Sequence, residues 1–198
     1  MAHRYAEALR VSRLALAQKD PQEMARWAGA NRVAGGFTVS CLGEEYGISY
    51  PEGRVWGGSR GLPVTDSMAV LLLHYLIYAT GAGWRGQALG FRQLPGGEIC
   101  LDHFRSHVIA RLLKLFGPDP GRMVRGAFAL GGTCEREYRV TVPALPRVPV
   151  TLEIWPGDEE TPAGGNVLYD ASAPLYLPTE DLIGLAGITM VALHRAVS

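Results

Sequence analysis

The stretch YRVTVPALPRVPVTLEIW, Tyr138 to Trp155, decides the fold. Tyr138, Val140 and Val142 alternate with Arg139 and Thr141, and Val148, Val150, Leu152 and Ile154 alternate with Thr151 and Glu153. A period of two sends successive side chains to opposite faces of a strand, so the two runs predict a hairpin with one buried face. Downstream, Gly165 to Tyr169 offers a third strand, and Thr179 can cap a final helix carrying Leu182, Leu185, Ile188, Val191 and Leu193. Upstream, Leu101, Phe104, Val108, Leu112 and Leu115 form a helical stripe closed by Gly117, and a shorter helix is expected over Arg122 to Leu130. Helices and strands are mixed without a regular strand-helix-strand repeat. The expectation is an α+β domain with an antiparallel or mixed sheet packed against several helices, not a doubly wound nucleotide-binding fold.

Further toward the N-terminus, Tyr5, Leu9, Leu14 and Leu16 give a roughly helical stripe. Asp20-Pro21 then reads as an N-cap with proline at the first helical position, opening a helix that runs to about Ala30. Phe37 to Leu42 and Tyr46 to Tyr50 predict short strands of an antiparallel meander. Asp66 or Ser67 can cap an apolar core helix that carries Met68, Leu71, Leu72, Tyr75, Leu76 and Tyr78 and stops at Gly81-Ala82-Gly83. Gln87 to Leu94 predicts a strand ended by the Leu94-Pro95-Gly96-Gly97 turn. Residues 1–198 read as a single domain, with room for a minor N-terminal lobe over 1–58.

At 198 residues the chain can bury roughly two thirds of its unfolded surface, so folding needs no metal or disulfide staple. Nineteen basic residues balance nineteen acidic ones, which speaks against a nucleic-acid partner, whose phosphates reward an excess of positive charge. Cys41, Cys100 and Cys134 are odd in number and widely spaced, fitting neither a disulfide framework nor a zinc or iron–sulfur site, and point to a reducing cytoplasm. The opening twenty residues lack the continuous apolar region of a signal peptide, and Met68 to Ala82, interrupted by His74, is too short for a bilayer. A soluble protein without membrane contact or cofactor is expected.

Acid concentrates just after the hairpin. Trp155-Pro156-Gly157 ends the second strand, and Asp158, Glu159 and Glu160 follow where the chain must turn, a position from which carboxylates reach a ligand or partner. Asp170 stands at the end of the next strand, as an Asx-turn acceptor or as part of a cleft. Glu180 and Asp181 fall in the first turn of the final helix, where the dipole accounts for them. Arg92 is a lone cation in a predicted strand, to be met by solvent or by a carboxylate of this acidic stretch. His103 and His107 share a helix face within reach of one metal ion, but the glutamate of an HExxH arrangement is missing between them. His74 reads as a neutral, hydrogen-bonded core histidine, and His194 as a helix-end residue. Trp56-Gly57-Gly58-Ser59-Arg60-Gly61 lacks the end of a P-loop and reads as a turn. No base or oxyanion donor can be assigned to Ser40, Cys41, Thr133 or Cys134 as nucleophiles.

The segments FRQLPGGE, Phe91 to Glu98, and LPRVPVTLEIWPGDEETPAGGNVLYDASAPLYLPTEDL, Leu145 to Leu182, resemble an uncharacterised prokaryotic family of domains of unknown function. Its members occur alone or joined to an iron–sulfur domain in anaerobic bacteria and archaea. The resemblance runs from about Thr65 to the end and is most specific at Trp155 to Glu160 and Leu177 to Asp181. It implies no reaction, and the chain carries no cysteine-rich ferredoxin-like segment.

The sequence therefore predicts a cytoplasmic accessory or ligand-binding domain for an unidentified small molecule or protein. The expected site comprises Arg92, Trp155, Asp158, Glu159, Glu160 and Asp170, with no metal and no assigned catalytic residue. Two alternatives stand beside it: a metal-dependent hydrolase using these acids with His103 or His107, and a structural subunit of a complex.

Overall fold

The hairpin forms as β7 (Arg139–Leu145) and β8 (Val148–Trp155), antiparallel, with Thr141 opposite Thr151 and their hydroxyls 2.8 Å apart. The computed structural model describes residues 2–57, 64–157 and 162–198. Val140, Val142, Val148, Val150, Leu152 and Ile154 are all buried on one face of the pair, each contributing on the order of 1.5–3 kcal/mol of apolar burial. That common face is why the alternation specifies its own register, since a one-residue slip would expose the whole set.

Strand β9 (Gly164–Asp170) joins β8 antiparallel and adds Val167 and Tyr169 to the buried face, while β6 (Thr133–Arg136) and the short β5 (Ala88–Gly90) flank the sheet, in the order β5-β9-β8-β7-β6. A second sheet is the meander β1 (Asn31–Val33), β2 (Gly36–Cys41), β3 (Glu44–Ser49) and β4 (Val55–Gly57). It meets the first where β2 touches β7 and the Leu42 N–H donates to the Ala144 carbonyl, 3.0 Å. Both sheets feed one contiguous apolar cluster, and the described residues build a single-domain α+β fold.

Helix α1 (Ala2–Ala17) packs on α3 (Asp66–Tyr78), and α2 (Pro21–Ala28) lies beside them, capped by Asp20 through the N–H groups of Gln22 and Glu23. The buried face of the five-stranded sheet is covered by a helical run made of α4 (Leu101–Phe104), a π-helical turn (Arg105–Ile109) and α5 (Ala110–Phe116), then by α6 (Pro120–Ala129) and α7 (Thr179–Arg195). Among the described residues no helix is long and apolar enough to cross a membrane.

Several local expectations are corrected. Thr65, not Asp66 or Ser67, caps α3, because its hydroxyl reaches the Met68 N–H at 3.2 Å. Thr179 begins α7 without capping it; its hydroxyl donates instead to the Pro95 carbonyl at 2.7 Å, tying the helix start to the LPGG turn. Leu14 and Tyr5 are exposed, and α1 turns Leu16 and Ser12 inward instead. The predicted strand from Gln87 to Leu94 stops at Gly90, and Phe91–Gln93 form a 3-10 turn.

Candidate functional site

The early end of β5 opens a cleft. The Gln93 side-chain oxygen accepts the Gly90 N–H at 2.8 Å, the Leu94 N–H donates to the Phe91 carbonyl at 3.1 Å and the Gly97 N–H to the Leu94 carbonyl at 2.9 Å, so the chain coils away from the sheet. Gly97 is demanded by this coil, since a Cβ there would lie 2.0 Å from the Phe91 oxygen. Because β5 pairs only with Leu168 to Asp170, the lower half of β9, Gly164 to Val167, has no strand on that side among the described residues. The helical run α4 to α5 passes over the gap and stacks Phe104 on Phe91, ring centres 3.9 Å apart and planes 3° from parallel.

The resulting cleft, about 670 Å³, has an apolar floor of Phe91, Phe104 and Leu113 and a rim of Arg92, Gln93, Arg105, Trp155 and Asn166. Leu101, Arg105, Ile109 and Leu113, four residues apart, all face it. On a regular helix of about 3.6 residues per turn such a row drifts around the axis; the wider π-helical turn at Arg105–Ile109 counters that drift. Trp155 is 46% exposed and lies across Gly164, where a Cβ would sit 2.1 Å from the indole nitrogen. Only a glycine lets the ring lie flat there.

Charge in the cleft is one-sided. Arg92 and Arg105 line it, and among the described residues no carboxylate does. Arg92 pairs with Glu98 at 2.9 Å, both side chains about 70% exposed, an arrangement that holds the guanidinium only weakly. It thus sits in the 3-10 turn rather than in a strand, and its partner among the described residues is Glu98. The Arg105 guanidinium has no hydrogen-bond or ion-pair partner among the described residues. Asn166 accepts the Val167 N–H through its side-chain oxygen at 2.9 Å, and its amide N–H groups have no acceptor among the described residues. Two guanidiniums, an amide donor and an exposed indole around an apolar floor suit an anion with a flat or apolar body.

The other expected residues are placed differently. Arg92 and Trp155 share the cleft; Asp170 does not. It stands at the far end of β9, six residues or roughly 20 Å from Gly164, and 7% exposed. Its Oδ1 accepts the Arg85 N–H at 3.0 Å, the Ser172 N–H at 2.9 Å and the Ser172 hydroxyl at 2.5 Å, an Asx turn that also pins the segment before β5. Burial pushes the Asp170 carboxyl upward, but hydrogen bonds from the Ser172 hydroxyl and from the Arg85 and Ser172 N–H groups outweigh it and hold the group below its ordinary range. It borders a small recess of about 140 Å³ with Trp84, Glu135 and Arg139. Asp158, Glu159 and Glu160 lie outside the described residues, as do Gly58 to Gly61. His103 and His107 stack with ring centres 4.2 Å apart on an exposed face, and among the described residues no group of three His, Cys, Asp or Glu side chains is placed to hold a metal ion.

Sequence reasoning missed Arg105 and Asn166. Arg105 had a signal, a cation inside the four-residue row of apolar positions Leu101, Ile109 and Leu113; Asn166 had none. It also missed a polar relay between helices. His74 on α3 contacts Asp181 on α7 through Nδ1, 2.6 Å, and Ser12 on α1 through Nε2, 2.9 Å. Although the three residue types match a hydrolytic triad, Ser12 is 2% exposed and its hydroxyl lies 2.7 Å from the Ala8 carbonyl within its own helix. Mid-helix N–H groups are committed to the helix and supply no oxyanion donor. The relay joins α1, α3 and α7. Asp181 is thus engaged by His74 as well as by the dipole of α7.

The family model described as Domain of unknown function (DUF3786) matches residues 20–192, and the chain belongs to that family. The match begins well before Thr65 and so includes the meander sheet as well as the region of the resemblance. No curated protein and no solved structure matches the chain.

Proposed function

We propose that this domain is a binding module, and that the cleft between the Phe91–Gln93 turn, the π-helical turn and the ends of β8 and β9 holds an anionic ligand with a flat or apolar body. The observation that carries this reading is the pairing of two loosely held guanidiniums, Arg92 and Arg105, with the exposed Trp155 indole around the apolar floor. Arg92 and Trp155 are its residues from the expected site, Arg105 and Asn166 its additions. Asp170 serves the scaffold. The free thiols of Cys41, Cys100 and Cys134 are in keeping with work in a reducing cytoplasm.

Titration of the isotope-labelled protein with benzoate and phenyl phosphate tests the site. Amide shifts are expected at Gly164 to Asn166 and at the Arg92 and Arg105 side chains, saturating with ligand, and the Arg92→Ala/Arg105→Ala double variant should lose them while keeping the rest of its spectrum. Saturable shifts clustered elsewhere on the fold, or none in millimolar probe, overturn the assignment.

A further inference from the structure

Strand β9 offers the cleft more than side chains. Ile154, opposite Gly165, sends its N–H across to the Tyr138 carbonyl at 3.0 Å, on the β7 side. In an antiparallel ladder, pairs alternate between bonding each other and bonding outward, so Gly165 turns its own N–H and carbonyl away from β8. They face the side where β5 has already left the sheet. The backbone there is bare, because Gly164 and Gly165 carry no side chains and both line the cleft. A Cβ at Gly165 would be tightly placed, 3.0 Å from both the Glu153 oxygen and a Leu112 methyl. Along the same edge Asn166 caps the Val167 N–H with its own side chain at 2.9 Å, a local satisfaction of an otherwise unpaired strand donor.

We propose that the ligand of this cleft is an extended acidic peptide, added as a short antiparallel strand along Gly164 to Val167, an inference that rests on the anion-cleft reading above. Unpaired edges are templates for strand addition, in which main-chain hydrogen bonds hold the peptide and pockets select alternate side chains. Beside Gly165 a peptide residue points to the apolar floor of Phe91, Phe104 and Leu113; its neighbours point to the rim. The rim carries Arg105, without a partner among the described residues, and Arg92, held only by an exposed pair with Glu98, and this positive charge selects acidic neighbours. The free edge of four residues spans about 13 Å, enough for a strand of three or four residues.

The test uses the full chain and three probes: acetyl-Glu-Val-Glu-Val-Glu-amide, the same peptide N-methylated at alternate peptide bonds, and phenyl phosphate. The unmodified peptide should bind and slow hydrogen exchange of the Gly165 amide about tenfold or more, and N-methylation should weaken binding by about tenfold, the loss of one or two backbone hydrogen bonds. Phenyl phosphate should occupy the cleft without protecting Gly165. Equal binding of both peptides, or binding of phenyl phosphate but of neither peptide, overturns strand addition and leaves the anion cleft standing. Failure of all three probes ends both readings. If sedimentation shows a dimer whose interface protects Gly165 and excludes the peptide, a second copy is the occupant and the peptide proposal falls.

Discussion

Replacing Asp170 by alanine separates scaffold from site. The Asp170 carboxylate gathers the Arg85 N–H, the Ser172 N–H and the Ser172 hydroxyl on one oxygen, in a residue almost wholly removed from solvent. Alanine strands the two backbone donors, and hydrogen bonds to a charged acceptor contribute roughly 1.5–3 kcal/mol each. The hydroxyl can rotate to another acceptor and adds little. Against these losses, Oδ2 is buried without a partner, so its removal returns on the order of 1 kcal/mol of desolvation. The net is about 3 kcal/mol. In a chain of this length each kcal/mol moves the melting temperature by about 2–4 °C, so Asp170→Ala should melt roughly 6–12 °C lower, with faster exchange at the Arg85 and Ser172 amides. Urea denaturation and calorimetry measure the first, hydrogen exchange the second. By contrast Arg92→Ala, which breaks only an exposed ion pair, should stay within about 1 kcal/mol of the parent. The Asp170 carboxyl is held below its ordinary range, so its stabilisation is complete above that range and fades as pH falls through the lowered value. The gap between parent and Asp170→Asn should therefore narrow below about pH 4. A loss under about 1 kcal/mol with unchanged amide protection would refute the pin and return Asp170 to the ligand-binding candidates.

Three further outcomes follow from single contacts. Cys41 is buried and burial pushes its thiol up to about 12, so a thiol reagent at neutral pH should modify Cys100 and Cys134 but spare Cys41 until the protein unfolds, as mass mapping will show. Tyr75→Phe removes a buried hydroxyl that donates to the Ala28 carbonyl and accepts the Arg147 N–H at 3.0 Å; leaving both unpaired should cost about 2 kcal/mol in urea denaturation. Gly97→Ala sets a methyl against the Phe91 carbonyl and should destabilise by at least about 2 kcal/mol while perturbing the Phe91–Phe104 stack, visible in aromatic chemical shifts.

The hairpin was legible in its period of two and the Leu101 to Leu115 run in its helical spacing, and their buried faces obey it; the meander and third strand were legible as β-type runs between turns, while the α1 stripe was misread at Tyr5 and Leu14. What failed was local competition for polar groups. Asp66 and Ser67 are good caps by residue type, but Thr65 is the residue whose hydroxyl reaches the Met68 N–H. Thr179 is likewise a good cap whose hydroxyl is taken by Pro95, 84 positions away in sequence. The strand predicted through Leu94 failed because Gln93 reaches back to the Gly90 N–H and closes a 3-10 turn. Such choices depend on which partner is near in space, and a pattern of residue types does not carry that.

The same limit explains the site. Arg92 and Trp155 were visible as a cation and an aromatic at odds with their surroundings, and both reach the cleft. Asp170 was visible for the same reason, but its oddness has a different cause: a turn and a distant backbone use its charge. Acid content marked a region without separating these cases. What makes the cleft is an absence, a strand that ends three residues after it begins and leaves its neighbour's Gly165 facing outward. The residues responsible are Gln93 and Gly97, neither of which carries charge. A site proposed on a backbone edge is thus specified by whatever terminates the neighbouring strand, and FRQLPGGE is informative both as the device that opens the edge and as the source of Phe91 and Arg92 in the cleft.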